Sequence, residues 1–319
     1  MATTPVSDGA AAQTSPSSST IPTSSSNRSS LAKQNRAWAR FKRDRIALLG
    51  AITLLLLIAI VLAGPLLYTA SYSAIDFAQS LISPSFQHPL GTNDLGQDQL
   101  ARLLWGGRIS LAVGITAMLV SITLGTLIGM VSGFCGGLID NGLMRLTDLF
   151  LSLPQLPLLL LVIYLFRDPM RNVAGPELGI FILIILVVGG LTWMPTARLV
   201  RAGFLATKEK EFVQAAQSLG ASAGRIVWWH ILPNVIGPVI VAATLGVGNA
   251  IITESTLSFL GIGFPPDVPT WGRMLFDGQN YIASAPHLVI FPGLAIFVTV
   301  LSVNYVGDGL RDALDVRSR

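Results

Sequence analysis

Residues 211–233 read EFVQAAQSLGASAGRIVWWHILP, a polar, amphipathic passage set between two long apolar runs. Phe212, Ala215, Ala216 and Leu219 recur at i, i+3, i+4 and i+7, the spacing of one helix face, and two of the four are methyl groups that permit close backbone approach. Gly220 follows as a residue able to take the left-handed conformation that stops a helix, and Glu209 and Glu211 suit the positive end of the helix dipole. A helix this short cannot bury its apolar face alone, so the pattern predicts a docking device covered by a second protein. The alternative is that the helix packs only against loops of its own chain.

The runs on either side set the class. Half of the 319 residues are apolar and only 12% are charged, against roughly a quarter in soluble domains. Six runs, 46–67, 111–134, 149–166, 179–197, 235–253 and 288–306, hold no Asp, Glu, Lys or Arg. Each approaches the roughly 20 residues a helix needs to cross the hydrocarbon core, which predicts an all-α integral membrane protein with six spans. Counted over alternate connections, one side collects sixteen Lys and Arg and the other five. Because cytoplasmic loops retain positive residues, both termini and the 211–220 helix are expected in the cytoplasm. The same rule explains the basic balance, so no nucleic-acid partner is called for. The first apolar run is too long for a typical cleaved leader and reads as a retained anchor.

Along the chain, a Ser/Thr-rich tail expected to be disordered (1–35) precedes an anchor helix (36–70) and an extracytoplasmic segment (71–108). A five-helix core (109–307) carries the polar loop at 208–234, and a short cytoplasmic tail (308–319) ends the chain. In the outer segment, Pro84, Pro89, Gly91 and Gly96 exclude a long helix before Leu95, and 97–105 is expected as a short interfacial helix. That segment is expected either to plug the outer end of the bundle or to serve as a gate. Gly125 and Gly129 form a GxxxG spacing that predicts close helix packing without specifying a homodimer. Pro154, Pro157, Pro195, Pro238 and Pro292 predict kinks. Arg145 and Asp148 are expected to pair locally, Cys135 to pack as a small residue, and Trp228, Trp229 and Trp271 to anchor at the interface.

Several chemistries lack their residues. No GxxxxGK followed by Ser or Thr offers a phosphate cradle, no His-Glu-x-x-His offers a zinc site, and the three histidines are scattered. No catalytic residue, metal ligand or resident cofactor is therefore expected. The six runs also lack the ionisable groups an ion-coupled carrier uses. Asn249 and Glu254 are the candidate pathway residues.

The 211–233 passage resembles the EAA loop of permease subunits in bacterial ATP-binding-cassette importers, which reads Glu-Ala-Ala, three residues, Gly, and then Leu-Pro further on. Gln214, Ala215, Ala216, Gly220, Leu232 and Pro233 occupy those positions, with Gln214 replacing the leading Glu and His230 replacing a hydrophobic residue. AAQSLGAS and HILPN are similar to the dipeptide, oligopeptide and nickel branch, as are HPLGTNDLGQDQLARLLWGGRISL (88–111) and ESTLSFLGIGFPPDVPTWG (254–272), where the Leu-Gly-Ile-Gly-Phe-Pro-Pro portion is expected as a re-entrant or interfacial scoop. The resemblance implies a type I importer permease fold in the bacterial inner membrane with a cytoplasmic coupling helix. It assigns coupling to Glu211, Phe212, Gln214, Ala215, Ala216, Leu219, Gly220, Ala221 and Pro233. It also implies a second homologous permease as heterodimer partner, two ATPase subunits holding ATP and Mg, and an extracytoplasmic solute-binding protein, with short peptides as the leading substrate. A non-transporting scaffold that recruits a cassette ATPase, or a secondary carrier, are the alternatives.

Overall fold

A computed structural model describes residues 38–314. The tail expected to be disordered lies outside the described residues. After a short helical segment at 38–43 come α1 (Arg45–Leu67), α2 (Gln99–Cys135), α3 (Gly137–Ser152), α4 (Gln155–Ala174), α5 (Pro176–Gly190), α6 (Met194–Lys208), α7 (Glu211–Ser218), α8 (Ala223–Phe259), α9 (Trp271–Gly278) and α10 (His287–Leu314). Among the described residues the only β pairing is the isolated bridge Thr92–Asp98.

Four helices, α1, α2, α8 and α10, are individually long and apolar enough to cross a membrane. The other two spans are broken. The run expected at 149–166 is divided, because Pro154 drives Leu153 out of the helical region (ψ 139°) and α3 meets α4 at 90°. The run expected at 179–197 breaks between α5 and α6 with a 42° bend, Pro195 sitting in the first turn of α6. The 15 residues of α5 rise about 22 Å, short of the hydrocarbon thickness, so neighbouring chain completes the crossing. The expected interfacial helix at 97–105 is instead the first turns of α2, a single 37-residue helix capped by Asp98. At the other end α10 runs through Leu314, so the segment expected as a tail is helical as far as it is described.

α2 is the axle of the bundle. Gly125, Gly129 and Gly133 form a ridge one turn apart, and a Cβ on Gly129 would stand 2.4 Å from the carbonyl oxygen of Ala197 in α6. The small-residue spacing thus serves packing inside one chain. Gly114 meets Ile251 of α8 in the same manner, and Gly189 of α5 lies against the carbonyl of Ala117. α1 packs against α10, where Gly309 faces Ala47 and Gly50 faces Tyr305.

Two prolines free carbonyls that α2 then occupies. Pro65, in the last turns of α1, cannot donate to Val61, whose oxygen accepts from Arg108 Nε at 3.1 Å. Pro292 in α10 leaves the Leu288 oxygen open, and Gln99 Nε2 donates to it at 3.2 Å. In hydrocarbon an unpaired carbonyl costs several kcal/mol, so these contacts tie both outer helices to the axle.

Candidate functional site

α7 begins at Glu211 and closes in a Schellman turn. The Gly220 N–H donates to the Gln217 oxygen at 2.9 Å and the Ala221 N–H to the Ala216 oxygen at 3.0 Å, with Gly220 at φ +79°. Val213 is 0% exposed and inserts into a cluster of Val200, Phe204, Ile226, Val227, Ile231, Val235 and Val239, drawn from α6 and α8, with Ala221 packed at its edge. The opposite side carries the face read from the sequence. Phe212 and Ala215 are exposed, Ala216 is half-buried, and Leu219 is 89% exposed. One valine thus seats the helix on its own chain while the Phe212–Leu219 face stays uncovered. Sequence periodicity had missed Val213, because a single anchor generates no repeat. Glu211 is exposed, and Gln214 reaches back to the Glu209 carbonyl at 3.3 Å.

The link from α7 into α8 is wound wide. Residues Ile226–Ile231 form a π-helical stretch, with the Leu232 N–H donating to the Val227 oxygen. Pro233 follows, exposed, where an ordinary α-helix would set its ring against the Trp229 carbonyl, and the wider turn relieves that conflict. On the same side, Arg201 of α6 grips Asp140 of α3 through Nε (2.5 Å) and Nη2 (2.6 Å), and Ser132 of α2 donates to the same carboxylate. Arg198, one turn earlier, pairs with Asp148. The expected Arg145–Asp148 pair is therefore replaced by a tie between helices, because α6 lies along α3. Lys208 at the end of α6 donates to the Phe134 carbonyl at 2.7 Å.

A partly open cleft of about 680 Å³ is bounded by α2, α8 and both helix breaks, and several of its lining residues are exposed. Irregular backbone at membrane depth is tolerated where it is buried in protein or lines a cavity, and both breaks border this one. Asn249 lies on the lining, as do Ser121, Gln155 and Thr192. Glu254, a little over one turn beyond Asn249, does not. It is 0% exposed and accepts from Ser258 Oγ (2.8 Å) and Ser110 Oγ (3.3 Å). Ser110 Oγ also accepts from the Trp271 N–H at 3.2 Å, so Glu254 belongs to a joint between α8, α2 and α9. Trp271, expected as an interfacial anchor, is buried, its indole donating to the Leu103 carbonyl at 3.0 Å. Trp228 and Trp229 are exposed, and so is Cys135, expected to pack but placed on the outer side of the last turn of α2. The Leu-Gly-Ile-Gly-Phe-Pro-Pro turn folds into the bundle, burying Phe264 in the core.

At the far end, the HPLGTNDLGQD segment folds into a compact cap. Asp98 accepts from the Ala101 N–H (2.8 Å) and from Tyr68 Oη (2.7 Å), and pairs with His88 Nδ1 (2.8 Å). Burial, reinforced by this carboxylate, raises the Tyr68 phenol well above its ordinary range. Arg102 donates to Gln97 at 2.6 Å and lies 3.4 Å from Asp277, whose carboxyl burial pushes up while Arg273 and Arg102 pull it back. Asp98→Ala removes a helix cap and the partner of two half-buried side chains, Tyr68 and His88, at once. A loss of about 3 kcal/mol is expected, read as a lowered Tm in detergent, against about 1 kcal/mol for Tyr68→Phe.

The family model for the binding-protein-dependent transport system inner membrane component matches residues 125–319, and that for the N-terminal TM domain of oligopeptide transport permease C matches residues 35–89. The chain belongs to this permease family. It is 37% identical over 283 residues to the dipeptide transport system permease protein DppC of Alkalihalophilus pseudofirmus, covering 89% of this chain and 90% of that one. It is 40% identical over 282 residues to the oligopeptide transport system permease protein OppC of Escherichia coli, covering 88% and 90%. The glutathione transport system permease protein GsiD of Pectobacterium atrosepticum is 38% identical over 281 residues, covering 87% and 89%. A chain of the MetNI methionine ABC transporter in an inward-facing form superposes with a TM-score of 0.53 at 19% identity, covering 67% of this permease and 96% of that chain. The fold is thus that of a type I ABC importer permease, and the protein is a multi-pass permease subunit of an ABC importer.

Proposed function

We propose that this permease forms half of an ATP-driven import path for short peptides and receives the power stroke through α7. The observation that carries the reading is the uncovered Phe212–Ala215–Ala216–Leu219 face, seated by Val213 and continued through a wound π stretch into α8. Two ATPase subunits, holding ATP and Mg, engage that face on this chain and on a second, homologous permease. Their closure moves α7, and the Arg201–Asp140 and Arg198–Asp148 ties carry the movement into α6 and α3. Because the helix breaks on the cavity lie next to those ties, displacement there opens or closes the lining. Glu211, Gln214, Gly220, Ala221 and Pro233 shape and terminate the docking element. Asn249 lies on the path, and Glu254 holds its outer joint.

The Lys and Arg excess on the α7 side supports a cytoplasmic placement of both termini in the inner membrane. The cap at the opposite end then faces an extracytoplasmic solute-binding protein. Peptides are the favoured cargo because dipeptide and oligopeptide permeases are among the relatives at 36–40% identity, and the glutathione relative transports a tripeptide-sized molecule of the same class.

Co-purification of the tagged chain in mild detergent, followed by ATP-driven peptide uptake in proteoliposomes, tests this. A second permease, Walker-motif ATPases and uptake that requires ATP are expected. Bound ATPases without uptake of any solute would instead identify a recruiting scaffold, and uptake by the lone chain without ATP a secondary carrier.

A further inference from the structure

The cavity lining is notable for its chemistry. Its polar and polarizable surface includes Met118, Ser121, Gln155, Thr192, Met194 and Asn249, and among the described residues no Asp, Glu, Lys, Arg or His takes part in the lining. Thr192 Oγ1 donates to the Val188 carbonyl at 2.8 Å, so its hydrogen is already committed. Asn249 and Gln155 differ. Both side chains are exposed, and among the described residues neither carboxamide has a protein hydrogen-bond partner. They come from different elements, Asn249 from the middle of α8 and Gln155 from the first turn of α4 beside the Leu153–Pro154 break. Each offers two donors and an acceptor, the complement of a peptide unit. The two thioethers are flexible groups that mould to differing side chains, and among the described residues the lining has no aromatic ring that would select for stacking.

We infer that this chain's half of the cavity recognises peptides by their backbone amides, through Asn249 and Gln155, and is indifferent to side-chain charge. The inference rests on the peptide-import reading and adds which part of the peptide this subunit handles. A cavity of about 680 Å³ lies within the roughly 300–1,000 Å³ of small-molecule sites. In a cleft walled by apolar helices, where charges are less well screened than in bulk water, one fixed charge would outweigh several neutral contacts. An importer moving peptides of varied sequence through a lining that bore a charge would hold or repel one class of them. Neutral carboxamides avoid that, since they pair with a main chain common to every cargo.

The test uses the full importer, this chain with its partner permease, ATPases and solute-binding protein, in proteoliposomes. Labelled Ala-Ala-Ala, Ala-Glu-Ala and Ala-Lys-Ala are the probes, and each variant's uptake is divided by that of the wild type, which cancels selection by the binding protein. Asn249→Asp is expected to lower Ala-Glu-Ala relative to Ala-Lys-Ala by roughly tenfold or more, and Asn249→Lys to reverse the order. Gln155→Glu is expected to repeat the Asn249→Asp result from a separate helix. The inference is overturned if the variants keep the wild-type ratio among the three peptides, whether uptake stays normal or falls equally for all. A wild-type importer that takes up none of the peptides would defeat the peptide reading itself, and is told apart by that control.

Discussion

Leu219→Asp, alone or with Ala216→Arg, is expected to all but abolish ATP-driven uptake while leaving the protein folded in the membrane. Leu219 is 89% exposed and makes no core contact, so placing a carboxylate there changes stability by no more than about 0.5 kcal/mol. Docked under an ATPase, the same carboxylate is stripped of water without a partner, and loss of one such anchor costs at least about 2 kcal/mol, roughly thirtyfold in affinity. With coupling through the docked α7 face, as proposed, uptake is expected to fall by at least that factor. Ala216→Arg adds bulk where a methyl group allows close approach. The measurement pairs uptake with co-elution of the ATPase. Val213→Ala provides the contrast, since it removes buried methyl groups from the seat of α7 and lowers stability first. Normal uptake with Leu219→Asp would remove α7 from the coupling path.

Gly129→Leu is expected to prevent recovery of folded protein. Its Cβ would lie 2.4 Å from the Ala197 carbonyl oxygen and 2.8 Å from Val200 Cβ, and a backbone oxygen cannot swing aside as a side chain does. Overpacking costs about 1–3 kcal/mol where side chains can adjust. Here α6 must move away from α2, disturbing Gly125 and Gly133 with it, so the loss is expected at or above about 3 kcal/mol. Gly142→Leu is the control, because nothing lies within 4 Å of the added carbon. The readout is the monodisperse fraction after detergent extraction, with Gly142→Leu near wild type and Gly129→Leu lost to aggregate. Equal recovery of both would show that the α2–α6 contact is looser than its geometry.

Much of the architecture was legible before folding because hydrocarbon imposes a one-dimensional code. Length and lack of charge marked the runs that became α1, α2, α8 and α10, and Gly220 marked the stop of α7, where φ is +79°. Pro154 and Pro195 were visible as kinks. That they would break two spans with bends of 90° and 42°, and that both breaks would meet at one cavity, depends on which helices lie alongside. The candidate site divided in the same way. The apolar spacing from Phe212 to Leu219 was local and could be read, whereas the anchoring by Val213 depends on residues of α6 and α8.

The amino-acid order alone therefore determined the four unbroken spans, the charge asymmetry between alternate connections, and the amphipathic face of α7, since each follows from neighbours within a few turns of helix. Only the tertiary structure decided that Arg198 rather than Arg145 meets Asp148, and that the glycine ridge of α2 packs on α6. It also decided that Arg108 and Gln99 occupy the carbonyls freed by Pro65 and Pro292, and that Asn249 lines the cavity while Glu254 is sealed in a joint. Burial and pairing are properties of two surfaces brought together, and residues distant in the chain acquire them only when the helices pack.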